Sequence, residues 1–202
     1  MKKTITLIGG ALLSLSATAF QPIDTKAFKY IEYGYNPSLG SYSPSDIDGV
    51  AAGSADATIV SFAAKMPYKG KHQRTWFDVS YQYFETEAGV GEIGQQVQRY
   101  KAQWLHQKSR ALNKQFTAWF GGGASLGFSN YVGKHTVTTD GFLDKSFDDT
   151  TGIDLGVVGS AAIEYVVPKL KRYKFGLNAQ YEVPLTDSVA GFTLGAYVFY
   201  KF

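Results

Sequence analysis

Alternation with a period of two runs through most of the chain. The clearest case is Arg74 to Phe84, where Phe77, Val79, Tyr81 and Tyr83 interleave with Trp76, Asp78, Ser80 and Gln82. Successive residues of a strand point to opposite sides of a sheet, so this pattern predicts a strand whose two faces meet different surroundings. Seven further segments read the same way: about 26–35, 58–66, 96–106, 114–130, 153–167, 173–185 and 191–202. In the last of these, Phe192, Leu194, Ala196, Val198, Tyr200 and Phe202 make one apolar face, against Gly191, Thr193, Gly195, Tyr197, Phe199 and Lys201 on the other. Each segment reaches the roughly 9–11 residues that a tilted strand needs to cross a bilayer.

The connections alternate in length. Long polar stretches (36–56, 85–95 and 131–152) follow the first, third and fifth strands and a short one (186–190) the seventh; those after the second, fourth and sixth are short. Pro67 and Pro168 stand where strands two and six end, a position that tolerates a missing backbone donor. Charge divides the same way. The short connections carry Lys69, Lys71, Arg74, Lys108, Arg110, Lys114, Lys169, Lys171, Arg172 and Lys174 and no acid. The opposite end carries Asp46, Asp48, Glu85, Glu87, Glu92, Asp140, Asp144, Asp148, Asp149 and Asp187 against Lys134 and Lys145.

A meander with apolar outer faces cannot leave its first and last strands unpaired in lipid, where each bare backbone group costs several kcal/mol. The sheet must close. The fold class that follows is all-β: an eight-stranded antiparallel up-and-down transmembrane β-barrel, with both termini and the short basic turns periplasmic and the acidic loops outside. The start of the chain agrees with export. MKKTITLIGGALLSLSATAF has Lys2 and Lys3, a mostly apolar run and Ala17-Thr18-Ala19, the features of a secretory signal peptide. Cleavage after Ala19, with Ala17 as the alternative, leaves residues 20–202 as a single barrel domain. The 14 Tyr, 14 Phe and 22 Gly favour β-structure, and the lack of Cys excludes disulfides and attachment of lipid through a cysteine. Net charge falls from +3 to +1 without Lys2 and Lys3, which removes the case for a nucleic-acid partner.

A signal peptide, eight amphipathic strands, short periplasmic turns and the closing Tyr200-x-Phe202 together resemble the small outer-membrane barrels of Gram-negative bacteria, namely the OmpA transmembrane domain and the OmpX and OmpW groups. The resemblance implies a monomer in the cell outer membrane, in contact with outer-membrane lipid and lipopolysaccharide. It also implies that Tyr200 and Phe202 are the signal read by the barrel-assembly machinery.

An eight-stranded barrel has room for side chains and little else. Its inward positions therefore decide between plug, pore and enzyme. The register places Glu32, Lys65, Asp78, Arg99, Lys101, Asp154, Glu164, Glu182 and Lys201 inside. Five acids and four bases should pair, because a buried charge without a partner costs several kcal/mol. Trp76, Trp119, Tyr197 and Phe199 beside inward glycines add interlocked packing. The expected role is structural or surface-interacting, with a packed, ion-paired lumen and acidic extracellular loops. The alternative is a narrow pore or transporter for small or hydrophobic solutes, and a lipid A modifying enzyme stands third.

Other motifs change this little. FGGGASLG (120–127) lacks the Gly-Lys-Ser/Thr ending of a phosphate loop and lies within an alternating strand, so its glycines read as packing. His135 with Ser129 and Asp140 is the one set on the loop side with the residue types of a Ser-His-acid triad. A solvated loop histidine is the plainer reading. The acidic clusters lack the spacing of an EF-hand loop, and no catalytic residue, cofactor or metal ligand is assigned. The basic turns, with Tyr68, Trp104, Trp119 and Tyr173 as an aromatic girdle, read as anchors at the inner leaflet, Trp119 being a candidate for lumen and girdle alike.

Overall fold

The computed structural model describes residues 31–44, 51–53, 55–67, 72–170, 172–186 and 189–201. The strands are β1 (Glu32–Tyr35), β2 (Ser38–Pro44), β3 (Ala51–Ala52), β4 (Ala55–Pro67), β5 (Gln73–Thr86), β6 (Glu92–Ala111), β7 (Phe116–Val137), β8 (Leu143–Ser146), β9 (Thr150–Val166), β10 (Tyr173–Pro184) and β11 (Val189–Lys201). The segments 1–19 and 26–30, the cleavage site and Phe202 lie outside the described residues.

Eight staves form a closed antiparallel ring. β1 and β2 together make the first, followed by β4, β5, β6, β7, β9, β10 and β11, and β11 returns to pair with β1 and β2. The seam sets Tyr33 opposite Tyr200 and Leu39 opposite Leu194. The first stave is interrupted at Asn36-Pro37, since proline offers no backbone donor. The ladder continues across the gap, because Asn36 N donates to Ser61 O at 3.1 Å and Ala196 N donates to Pro37 O at 3.1 Å. No backbone opening is left in the wall there.

The outer wall is apolar, with Phe62 67%, Leu177 60% and Leu194 55% exposed. At the end of the short connections, here the turn end, Tyr33, Tyr173 and Tyr200 lie together on this wall, with the last two rings 5.1 Å apart. Trp104 also faces outward. Trp119 does not: it is 7% exposed and packs in the lumen, so the girdle loses it. Tyr68 lies outside the described residues.

Strand lengths correct the sequence reading at the other end, the loop end. The first stave does not stop at Tyr35 but runs on through β2, within the stretch 36–56 read as a loop. Ser41 and Ser43 on its outward side remove the apolar mark by which the alternation is recognised. The stretches 85–95 and 131–152 are likewise mostly strand. β6 has 20 residues and β7 has 22, about twice what a bilayer crossing needs. The projecting part of β6 turns Glu92 and Gln96 outward and buries Ile93 and Val97 on the other face, the reverse of the apolar-outward alternation, which hides the period. Tight turns cap β6 and β7, with Gly91 at φ 75° and Gly141 at φ 80°, conformations that favour glycine. β8 folds back on β7, and β3 adds a short parallel pairing to β6.

FGGGASLG lies within β7, facing β6 on one side and β9 on the other. A Cβ on Gly121 would fall on the carbonyl oxygen of His106, and one on Gly123 on that of Trp104. The glycines thus permit close approach of the β6 backbone.

Candidate functional site

The inward faces of the staves fill the lumen in layers. At the turn end, the Glu164 carboxylate on β9 accepts from Lys65 Nζ on β4 at 2.8 Å and from Arg74 Nη1 on β5 at 2.7 Å. Lys174 on β10 lies 3.6 Å from the same carboxyl and 2.6 Å from Glu32. Gln107 accepts from Arg74 Nε at 2.7 Å, and the Tyr197 hydroxyl donates to Glu164 at 3.3 Å. The Lys65 ammonium sits within a cage of rings, 4.7 Å from the centroid of Trp76, 3.9 Å from Tyr197 and 3.8 Å from Phe199. The Arg74 guanidinium stacks 3.9 Å from Trp119. Ring faces carry negative potential, so these contacts offset part of what the cations lose on leaving water.

Arg74 and Lys174 are the charges that the sequence reading misplaced. Both were counted among ten basic turn residues; each stands one residue inside a strand terminus, where the inward side of the alternation claims it. Lys69, Lys71 and Lys171 of that group lie outside the described residues. Adding the two to Lys65, Arg99, Lys101 and Lys201 gives six inward bases against Glu32, Asp78, Asp154, Glu164 and Glu182. Lys201 stands half-buried at the rim, opposite Glu32.

Nearer the loop end, Arg99 on β6 spans the lumen. Its Nε donates to Asp154 on β9 at 2.9 Å, and its two terminal nitrogens donate to Glu182 on β10 at 3.0 and 2.8 Å. Lys101 reaches the same Glu182 at 3.1 Å. Ser125 donates to Glu182 at 2.5 Å, and Ser129 donates to Asp154. Arg99 is 1% exposed, so this is a fully enclosed two-carboxylate clamp on one guanidinium, a geometry that suits the planar fork of arginine.

Between the two ionic layers lies a polar zone. Asp78 faces Ser61, Trp76 and Asn36, with Lys101 as its cationic neighbour. Among the described residues it has no direct ion pair, and its Oδ2 lacks a hydrogen-bond partner, as do the Asn178 side chain and Gln180 Nε2. Gln103 donates to Gln180 at 2.9 Å. Above the Arg99 clamp, Tyr42, Ala55, Ala57, Ile59, Phe84, Val97 and Val189 form an apolar cap in which the Tyr42 and Phe84 rings stack at 5.1 Å.

The set His135, Ser129 and Asp140 is not brought together. His135 Nδ1 lies 2.7 Å from the Gly133 carbonyl, Ser129 points into the lumen onto Asp154, and Asp140 belongs to the β7–β8 turn. The loop acids serve local geometry: Asp149 accepts from Gly133 N at 2.8 Å and Asp144 from Thr136 at 3.3 Å. Among the described residues no group of three or more His, Asp or Glu is placed to hold a metal ion.

No protein-family model matches the sequence, and no curated protein matches it. Solved structures do. The chain is similar to Neisserial surface protein A, with a TM-score of 0.57 and 15% identity over 85% of this chain and 97% of that one. It is similar to OprG of Pseudomonas aeruginosa (TM-score 0.52, 12% identity, 86% and 95% covered). It is also similar to Ail, the attachment invasion locus protein of Yersinia pestis, in complex with the heparin analogue sucrose octasulfate (TM-score 0.51, 11% identity, 86% and 99% covered). At such identities the likeness is one of fold, and the fold is that of the small eight-stranded antiparallel outer-membrane β-barrels.

Proposed function

We propose that this chain is a closed barrel of the Gram-negative outer membrane, a rigid pedestal that displays the acidic β5–β6 and β7–β8 hairpins at the cell surface. It acts as a structural or surface-interaction protein, not an enzyme or an open pore. The observation that carries this reading is the Arg99 clamp: one buried guanidinium ties β6 to β9 and β10 across the lumen, directly beneath an apolar cap. A chain of water through the barrel would have to break both.

In this reading the termini and basic turns are periplasmic, and Tyr200 with Phe202 is the mark read by the barrel-assembly machinery. The displayed end carries Glu85, Glu87, Glu92, Asp140, Asp144, Asp148 and Asp149. Its sign suits a cationic partner, and a polyanion such as the heparin analogue bound to Ail would be repelled. The test is conductance of the purified, refolded protein in planar bilayers. No stable conductance is expected, and reproducible channels of porin size would overturn the closed-lumen reading.

A further inference from the structure

The polar zone between the two ionic layers is short of hydrogen-bond donors and of positive charge. The first stave turns Asn36 and Ser38 inward, and the break at Asn36-Pro37 sets Asn36 against Ser61 on β4. The hydroxyls of Ser61 and Ser38 both donate to the Asn36 carbonyl oxygen, at 2.8 and 3.4 Å. A hydroxyl has one proton, so neither serine has another to give. Across the seam, Gly195 on β11 stands opposite Ser38 on one side and Asn178 of β10 on the other. The missing side chain lets oxygens from both neighbours converge. Asn178 Oδ1 and Asn36 Oδ1 stand 2.6 and 2.8 Å from where a Gly195 Cβ would be, and Ser38 Oγ stands closer.

Asp78 on β5 adds a carboxylate to this group, facing Asn36 and Ser61. Asp78 and Asn178 are 2% exposed and Asn36 3%. Among the described residues, Asp78 Oδ2, Asn36 Oδ1 and Asn178 Oδ1 have no hydrogen-bond partner. Acceptors gathered in this way cannot satisfy one another.

The charge count says what would. Among the described residues, the inward charges from this zone to the apolar cap are Arg99 and Lys101 against Asp78, Asp154 and Glu182. Both cations are engaged, Arg99 by Asp154 and Glu182 and Lys101 by Glu182 at 3.1 Å. One negative charge is left over in an enclosed place, where an unpaired charge is costly. Water supplies donors but no charge. A hard cation takes carboxylate, amide and hydroxyl oxygens alike, and a set with one surplus carboxylate balances a cation of single charge.

We propose that the mid-lumen binds one alkali-metal cation, held by the Asp78 carboxylate and the side-chain oxygens of Asn36, Asn178 and Ser38. The cation does for Asp78 what Arg99 does for Asp154, and it ties β5 to the first stave and β10. The site goes beyond the closed-barrel reading and is the same whichever end faces outward.

The test is urea unfolding of the refolded protein in detergent micelles, with sodium chloride exchanged for choline chloride at constant ionic strength. Above the sodium dissociation constant, each tenfold rise in sodium should raise the midpoint by about 0.7 M at a typical urea slope. Asp78→Asn removes the charge and keeps the shape. It should show no sodium dependence and should equal or exceed the parent in choline, where Asp78 of the parent is unpaired. Asn178→Ala should need about tenfold more sodium for the same shift, the loss that even an outer partner of a metal site brings. Glu87→Gln, on the exposed β5–β6 hairpin, should respond as the parent does. A heat-dependent shift in gel mobility verifies that each variant is folded. Equal midpoints in sodium and choline, the result for a zone filled by water alone, overturn the site. So does equal sodium dependence in Asp78→Asn, and saturation by calcium at far lower concentration overturns the single charge. In parallel, protein refolded in radioactive sodium is desalted into choline chloride, and one sodium retained per barrel is expected. Sodium dependence without retention upholds the site and overturns the closed lumen instead.

Discussion

Arg99→Ala probes whether the lumen is dry. Arg99 is the cation that Asp154 pairs with, whereas Glu182 keeps Lys101 at 3.1 Å and the Ser125 hydroxyl. The substitution therefore strands Asp154, with Ser129 as its remaining partner. Removing one member of an enclosed pair leaves an uncompensated charge and costs about 3–5 kcal/mol; a pair at ~4 Å in bulk water is worth only about 1 kcal/mol. Urea unfolding of the barrel in detergent micelles or vesicles, followed by fluorescence of Trp76, Trp104 and Trp119, separates the two cases. With a slope of ~2 kcal/mol per molar urea, the midpoint should fall by about 2 M. The double variant Arg99→Ala, Asp154→Asn should recover much of that loss, because an amide needs no counter-charge. A loss below about 1 kcal/mol, with no recovery in the double variant, would refute the dry, clamped lumen.

Other outcomes follow from the same geometry. Lys65→Met should cost less than Glu164→Gln under the same unfolding assay, by about 2 kcal/mol. Glu164 keeps Arg74 and Lys174 when Lys65 is lost, whereas its own neutralisation leaves Lys65 and Arg74 buried without a paired carboxylate and Lys174 with Glu32 alone. Gly123→Ala should abolish the heat-dependent gel shift by driving a methyl into the Trp104 carbonyl, and Gly152→Ala, with open space around its Cβ, should fold normally. Gly133→Ala, at φ 65°, should fold with a loss of about 1 kcal/mol. Deleting Phe202 should slow insertion into the outer membrane, measured by pulse-chase and protease protection, without changing the stability of the protein that does insert.

The alternation made the eight staves legible because lipid on one side and packed side chains on the other give every second residue a different solvent. Phe77 to Tyr83 on β5 and Phe192 to Tyr200 on β11 show it plainly. It failed where that contrast ends. β2 carries serines outward, and the far part of β6 has Glu92 and Gln96 outside with Ile93 and Val97 buried inside, the reverse of the membrane pattern, so strands there look like loops. The inward charges at Asp78, Arg99, Asp154 and Glu182 could be read from parity alone, but which acid meets which base could not. That depends on how the barrel staggers its staves, which sets Arg99 against two residues 55 and 83 positions away. Arg74 and Lys174 were hidden for a simpler reason: a base next to a turn looks solvated until its parity is counted.

The seam between β11 and the first stave has a kinetic meaning. Every other pairing in the ring joins neighbours in the chain, but Tyr33 and Tyr200 come from opposite ends of it. Closing a loop of that length first would cost about 2 kcal/mol more entropy than closing a ten-residue hairpin. The favourable order is therefore hairpin by hairpin, with curvature bringing the two free edges together before they join. The Asn36-Pro37 break sits on the edge that waits longest, where a missing donor makes an unfinished sheet a poorer template for a stray strand.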